Sequence, residues 1–156
     1  MALSIRGATL EDAKGISDLI VPLTKKYVCP TCDESVHNAL ITSMSEGNIV
    51  NYLSQNYQYV VAVDEKSEII GVAGIRDSSH LFHLFVSDNY QGQGLSRKLW
   101  ERIKSEALTN GNSGRFTVNS AINSESIYLS FGFIRTGEIR NRDGMIDIPM
   151  ELETAC

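Results

Sequence analysis

The chain has 156 residues, with 14 Lys plus Arg against 19 Asp plus Glu, and therefore a formal net charge of −5. A hydrophobic share of 42% with only 3 Pro is typical of a compact folded chain and excludes disordered and collagen-like classes. The acidic balance disfavours nucleic-acid and membrane partners, which need a basic surface. The length fits a single domain over residues 1–156.

The N-terminal residues lack the basic segment and long apolar run of a signal peptide, and no apolar stretch approaches the roughly 20 residues of a membrane helix. We therefore expect a cytoplasmic protein. Cys29, Cys32 and Cys156 are an odd number, which argues against a secreted disulfide framework. Cys29 and Cys32 form a single Cys-x-x-Cys without a second ligand pair, so we expect no metal site.

The first third of the chain is predicted to hold one strand and then helices. A short strand over 3–6 is followed by a capping sequence at Thr9–Asp12. Apolar residues at helical spacing predict a helix over 13–23 and a second over 36–44. Another helical turn or two is expected near 49–53.

The rest of the chain is dominated by strands. A period of two over 57–64 and 68–76 predicts a hairpin, and 79–87 is a third strand. A glycine loop, an amphipathic helix over 95–107, a strand over 115–120 and a short helix over 123–131 follow. Strands over 133–140 and 145–152 close the sheet around a turn at Asp143 and Gly144. This order predicts a mixed sheet with helices on both faces.

The glycine loop carries the strongest functional signal. Gly92 and Gly94 stand at alternate positions directly before a helix, where they allow a tight turn that points several N–H groups at one spot. A diphosphate fits such a spot. The loop lacks the Gly-Lys-Ser/Thr ending of a nucleoside-triphosphate loop and the three-glycine dinucleotide fingerprint, so nucleotide binding ranks last.

The same loop resembles the acyl-CoA loop of the GNAT family of N-acetyltransferases. The family pattern Gln/Arg-x-x-Gly-x-Gly/Ala is met by Gln91, Gly94 and, imperfectly, Ser96. A second family element, Asn…Tyr-x-x-x-Gly-Phe, is matched from Asn123 through Tyr128 to Gly132 and Phe133. Two motifs in order are more specific than either alone. The resemblance implies an α/β (α+β) fold with a mixed, mostly antiparallel sheet of about seven strands flanked by helices on both faces.

The resemblance also implies acetyl-CoA as cosubstrate, no metal, and a set of cofactor contacts. The loop N–H groups that would hold the diphosphate belong to Gln91, Gly92, Gln93, Gly94, Leu95, Ser96 and Arg97. The pantetheine arm would run along the preceding strand at Leu84, Phe85 and Val86. Asn119 is expected where the sheet opens, and Asn123 as a CoA contact or a helix cap.

Tyr128 occupies the position where the family places a phenol near the CoA sulfur, so the resemblance implies a general acid there. The base is open between His80 and His83, and many relatives have no single base and bind amine that is already neutral. Strand alternation puts His80 with Phe82 and Leu84 on one face and His83 with Leu81 and Phe85 on the other. A bulge would break that parity.

The sequence therefore predicts an N-acetyltransferase that moves the acetyl group of acetyl-CoA directly to a primary amine. The modest chain favours a small acceptor, and the acidic composition favours a cationic one such as a polyamine or aminoglycoside. Tyr27, Glu34 and Tyr52 are candidates for the acceptor wall. A protein N-terminus or lysine as acceptor, and a noncatalytic acyl-CoA-binding sensor, stay open. The resemblance also allows a homodimer through the C-terminal strands.

Overall fold

The structure is a computed structural model that describes residues 3–154, so Cys156 lies outside the described part of the chain. Five α-helices lie within it: Ala13–Tyr27 (α1), His37–Thr42 (α2), Glu46–Leu53 (α3), Leu95–Thr109 (α4) and Glu125–Ser130 (α5). The predicted helix over 36–44 ends at Thr42, because Ser45 caps a new helix by accepting a hydrogen bond from the Asn48 N–H at 3.2 Å. No helix formed by residues 3–154 is long and apolar enough to cross a membrane.

The described residues form eight strands: Ser4–Gly7 (β1), Tyr57–Val63 (β2), Ile69–Arg76 (β3), His80–Val86 (β4), Arg115–Ser120 (β5), Ile134–Arg135 (β6), Arg140–Arg142 (β7) and Met145–Glu153 (β8). Their order is β1-β2-β3-β4-β5-β8-β6, and β7 pairs with the first part of β8. β4 and β5 are parallel, and the other pairs are antiparallel. The predicted mixed, mostly antiparallel sheet is confirmed.

There are eight strands where about seven are predicted, because the strand expected over 133–140 is divided into β6 and β7. The interruption lies opposite Pro149 of β8, which has no N–H to offer a strand ladder. The chain bends there, and the Thr136 N–H donates to the Pro149 carbonyl at 2.9 Å. Between β7 and β8 the turn is tight, since Asp143 (φ 54°) and Gly144 (φ 102°) both have positive φ.

Helices cover both faces of the sheet. One core lies under α4 and α5, and its largest members include Leu99, Trp100, Ile103, Phe116, Phe133 and Met150. The second core lies under α1 and α3 and includes Ile16, Ile20, Ile49, Tyr59, Val61 and Val72. The sheet is thus the middle layer of three, with the two cores providing apolar burial on both sides.

The sheet is open at one place. β4 and β5 pair only at His80 with Thr117 and at Leu81 with Val118. Both strands then continue without pairing, β4 as far as Val86 and β5 as far as Ser120. We call this opening, between residues 82–86 of β4 and 119–120 of β5, the seam.

Candidate active site

A cavity of about 540 Å³ lies at the seam. Its wall is made by the end of β4 with the glycine loop, the first turn of α4, the start of α5 and the C-terminal end of α1. Elements from both layers of helices therefore meet at the place where the sheet is open. A concave site of this size, enclosed on several sides, is typical of a site for a small molecule or cofactor.

At Gly92 and Gly94 the glycine loop presents backbone atoms, without side chains, to this cavity. Gly92 (φ 76°) and Gly94 (φ 77°) both adopt the left-handed conformation that favours glycine, and Gly94 is the N-cap of α4. A Cβ added at either glycine would meet no atom within 4 Å. The space in front of the loop is therefore open, and the N–H groups at the start of a 15-residue helix stand next to it. The donor set fits an anionic diphosphate.

The seam leaves strand groups of β4 free on its β5 side. β4 pairs with β3 as far as Val86, whereas its pairing with β5 stops at Leu81. The Gln91 side chain satisfies one of the released groups, since its Nε2 donates to the Val86 carbonyl at 3.1 Å. Unpaired strand groups beside a cavity accept an extended ligand in the manner of an added strand.

Tyr128 projects from α5 into the same cavity. The side chain is buried, with Phe131 and Phe133 packed edge-on against its ring at centroid distances of 6.2 and 5.9 Å. No residue among 3–154 forms a hydrogen bond with its hydroxyl, which leaves that group free for a ligand. Burial raises the pKa of Tyr128 well above its usual range, so the phenol keeps its proton at neutral pH.

A family model described as an acetyltransferase (GNAT) domain matches residues 28–154. The chain belongs to the GNAT acetyltransferase family. Solved GNAT structures share its fold. The PaiA N-acetyltransferase of Thermoplasma acidophilum, in complex with coenzyme A, is 17% identical with a TM-score of 0.79, over 99% of this chain and 100% of that one. The yncA protein of Salmonella typhimurium, with acetyl-CoA, is 22% identical with a TM-score of 0.71, over 98% and 94%.

A third structure, a GNAT-family acetyltransferase from Staphylococcus aureus, is 17% identical with a TM-score of 0.73, over 97% of this chain and 99% of that one. At these identities the structural likeness establishes the fold and leaves individual contacts to be argued from this chain. The family assignment confirms the resemblance on which the site residues were predicted.

Most of the residues predicted to bind the cofactor line the cavity. They are Leu84, Phe85, Val86, Gln91, Gly92, Gly94, Leu95, Ser96 and Asn123. Gln93, Arg97 and Asn119 do not. Arg97 donates to the Ser130 carbonyl at 2.8 Å and lies over the Phe131 ring at 5.1 Å, so the start of α4 is fastened to the end of α5. The Asn119 amide oxygen accepts a hydrogen bond from Arg140 at 3.0 Å.

The C-terminal end of α1 spans the cavity, which the sequence did not reveal. The Tyr27 hydroxyl donates to Asp88, after β4, at 2.6 Å, and the Asn123 amide, after β5, donates to the Tyr27 carbonyl at 2.8 Å. Lys26 also binds Asp88, at 2.8 Å. We call these contacts of Lys26 and Tyr27 the strap. Tyr27, expected in the acceptor wall, thus lines this cavity.

Other lining residues that the sequence analysis missed are Leu23, Val28, Tyr90, Ser124 and Ile127. Leu23 stands in the predicted apolar stripe of α1, where nothing distinguishes a residue facing a ligand from one facing the core. Tyr90 lies between the predicted strand contacts at 84–86 and the predicted loop contacts at 91–97. That position was the one local signal that could have indicated it. The others come to the cavity through tertiary packing.

A bulge in β4 decides where the two histidines stand. Leu81 pairs with Ile75 and His83 pairs with Gly74, so Phe82 is an extra residue. The Phe82 and His83 rings lie together, with centroids 4.2 Å apart. Leu81 instead joins the core under α4. Strict alternation, which put Leu81 with His83 and Phe82 with Leu84, is therefore wrong at this point, whereas Phe82 does share the face of His80.

Neither histidine lines the cavity. His83 is buried, its Nδ1 lies 2.8 Å from the Tyr59 hydroxyl, and burial lowers its pKa to about 3. A Cβ at Gly74 would overlap the Tyr59 ring, so the glycine provides the room for this contact. His80 bonds through Nδ1 to the Thr117 hydroxyl at 2.7 Å. Burial, and secondarily Arg76, lowers the pKa of His80.

Within residues 3–154, no three His, Cys, Asp or Glu side chains converge in a way that could hold a metal ion. Cys29 is buried in a short 3-10 turn, and the Cys32 sulfur lies 3.8 Å from the Ile146 carbonyl. Burial raises the pKa of the Cys29 thiol. The pair therefore has the surroundings of packed thiols at the contact between the end of α1 and β8.

Proposed function

We propose that this GNAT protein is an acetyl-CoA-dependent N-acetyltransferase that transfers the acetyl group directly to a small primary amine. The observation that carries the proposal is the seam, because one continuous cavity joins the glycine loop, the free edge of β4 and the Tyr128 phenol. These are the parts needed to hold a diphosphate, an extended arm and a departing sulfur. Acetyl-CoA supplies the acetyl thioester.

The chain's own residues then have separate tasks. The N–H groups of the glycine loop and of the first turn of α4 bind phosphate, and β4 pairs with the pantetheine arm. Attack by the amine nitrogen forms the new C–N bond and breaks the C–S bond, while the nitrogen loses a proton and the sulfur gains one. The Tyr128 hydroxyl, with its proton held by burial, donates that proton to the sulfur, and the proton lost by the nitrogen passes through solvent water to restore the phenol.

The pKa values of both histidines argue against a histidine base. A general base is most effective when its pKa lies near the working pH, and burial moves the pKa of His83 to about 3 and lowers that of His80. We propose that the enzyme binds the fraction of amine that is already neutral. His83 then acts as a neutral, packed side chain.

The proposal of a small acceptor is supported by the tip of the β7–β8 hairpin. The Asp33 N–H donates to the Gly144 carbonyl at 2.9 Å, and Gly144 is buried against residues 33–36. This contact closes one end of the surface in front of the seam. A lysine within an extended polypeptide needs a groove open at both ends, so an internal lysine of a protein is disfavoured as acceptor.

The test is thiol release from acetyl-CoA with a panel of small amines, N-terminal peptides and lysine peptides. We expect turnover with small amines and at least tenfold lower kcat/KM with both peptide classes. Tight CoA binding by calorimetry without turnover of any amine would contradict the proposal and support a sensor. Turnover of peptides alone would contradict the small acceptor.

The Tyr128→Phe variant tests the acid. We expect kcat to fall by about 100-fold, within the usual contribution of a general acid, with CoA affinity within threefold of the parent because the ring is retained. A selenoester analogue of acetyl-CoA, whose leaving group is less basic, should reduce that difference. A kcat within twofold of the parent would remove Tyr128 from the chemistry.

Three further expectations stay predictions: a single domain over 1–156, a cytoplasmic location, and a homodimer through the C-terminal strands. Sedimentation measures the last of these directly, and cell fractionation the second.

A further inference from the structure

One approach to the seam lies on the sheet face that carries α1 and α3. On β5 the side chains of this face are Thr117 and Asn119, both exposed, while Phe116, Val118 and Ser120 point to the opposite core. Asn119 is the first residue of β5 beyond its pairing with β4, and Phe82 is the first beyond it on β4. An amine that reaches the seam from this face therefore passes between Phe82 and Asn119.

A guanidinium is fixed at the Asn119 side of this passage. Arg140 Nε donates to Asp147 at 3.0 Å and its Nη2 donates to the Asn119 oxygen at 3.0 Å. Within residues 3–154 its Nη1 has no hydrogen-bond acceptor, and 37% of the side chain is exposed. Arg140 is thus held on two of its three nitrogens and open on the third.

Positive charge is in excess among the three charged side chains in contact here, Arg140, Arg142 and Asp147. The Asp147 side chain is only 2% exposed, and it also forms an ion pair with Arg142. One carboxylate is therefore shared by two guanidinium groups, which leaves one excess positive charge. The nearest acids on the same face of β8, Glu151 and Glu153, are paired with Arg115.

The Phe82 side of the passage is aromatic. Tyr52 stacks on Tyr57 with ring centroids 4.8 Å apart, and Phe82 meets both edge-on at 5.2 and 5.3 Å. All three rings are half-buried, so each keeps a surface for contact. The positive charge beside this wall is Arg76, which lowers the pKa of His80. The Asp77 carboxylate is paired with this arginine, with its Oδ2 4.0 Å from the Arg76 Nε.

We propose that the acceptor is an α-amino acid with an apolar side chain, its carboxylate bound by Arg140 and its side chain packed on Tyr52, Tyr57 and Phe82. This rests on the proposed function and specifies its acceptor. A guanidinium fixed by a buried carboxylate offers a preorganised partner for a second carboxylate. The local charge reverses the expectation from net charge, which favoured a cationic acceptor.

Three acceptors with one ring and one amine test the proposal: phenylalanine, phenylalaninamide and phenethylamine, with spermidine as the cationic alternative. Each kcat/KM is expressed per concentration of neutral amine, since the carboxylate changes the basicity of the nitrogen. We expect phenylalanine to exceed the other three by at least tenfold. Arg140→Gln should bring phenylalanine to within twofold of phenylalaninamide, and Arg140→Lys should restore part of the preference.

Arg142→Gln is the matched control. It removes the other ion pair to Asp147 with the same substitution, but Arg142 has no bond to Asn119. We expect this variant to keep the preference for phenylalanine. Urea unfolding of both variants shows whether they fold, and calorimetry of phenylalanine binding to the CoA-loaded protein gives a readout independent of turnover.

Loss of phenylalanine binding in Arg140→Gln, but not in Arg142→Gln, supports the proposal even if a different donor is needed for turnover. Turnover of phenethylamine or spermidine equal to that of phenylalanine would overturn it while leaving the acetyltransferase function intact. An equal loss in both arginine variants would also overturn it, because the effect would then come from Asp147 and the hairpin. No turnover of any amine would contradict the proposed function, and calorimetry would still decide the role of Arg140.

Discussion

Gly94 has two separate roles: it adopts a backbone conformation that favours glycine, and its lack of a side chain leaves room for a ligand. Its φ of 77° strains any side chain, and the space in front of it is open. The same two properties occur in Gly111, at φ 101°, beyond the end of α4 and away from the cavity. Substitution of Gly111 therefore measures the cost of backbone strain alone, whereas substitution of Gly94 measures that cost together with any loss of ligand binding.

We expect Gly94→Ala and Gly111→Ala each to lower the free energy of unfolding by about 1–2 kcal/mol, the cost of a left-handed L-residue. Only Gly94→Ala should weaken CoA binding, by at least tenfold, because its methyl group enters the phosphate space. Urea unfolding and calorimetry measure the two quantities. Equal CoA affinities in the two variants would show that the loop does not approach the phosphates.

At the scale of elements, the strap joins α1 to both sides of the seam. Its contacts are exposed, so each stabilises the fold little on its own. Their placement matters more, because Tyr27 is bonded to the segment after β4 and to the segment after β5. A ligand arm that lies in the seam is enclosed beneath it.

We expect Tyr27→Phe to increase the dissociation rate of CoA about threefold to tenfold, since one hydrogen bond that closes the cavity is lost. The free energy of unfolding should change by less than about 1 kcal/mol. Stopped-flow displacement of a fluorescent CoA analogue measures the rate. Lys14→Met, which removes the 2.8 Å contact to Asp18 at the other end of α1, is the control. If both variants release CoA at the parent rate, the strap does not retain the ligand.

At the scale of the whole molecule, the buried His83 makes stability depend on pH. Its pKa is about 3 in the folded chain against a usual value of 6.5, so between these values the unfolded chain binds a proton that the folded chain does not. The contribution of His83 to the free energy of unfolding is fully present above pH 6.5 and decreases as the pH falls toward 3. The slope is about 1.4 kcal/mol per pH unit.

We expect His83 to account for a fall of ~2 kcal/mol in the free energy of unfolding from pH 7 to pH 5, and His83→Gln to remove that part. The part that comes from the lowered pKa of His80 should remain. Urea unfolding at pH 5, 6 and 7 measures it. His37→Gln, on the half-buried α2, should keep the parent's slope. The same pH dependence in His83→Gln as in the parent would show that another group is responsible.

The sequence by itself determined the order of elements, the glycine loop, the Tyr128 motif and the family. These features are local: apolar spacing sets helix faces, and glycines before a helix set a loop. Tertiary structure decided the rest. The bulge at Phe82, the division at Pro149, the Tyr59–His83 contact across Gly74 and the strap all depend on which strand or helix lies alongside. Arg140 reaches Asn119 and Asp147 for the same reason, because cross-strand neighbours are distant in the chain, and no spacing along it encodes them.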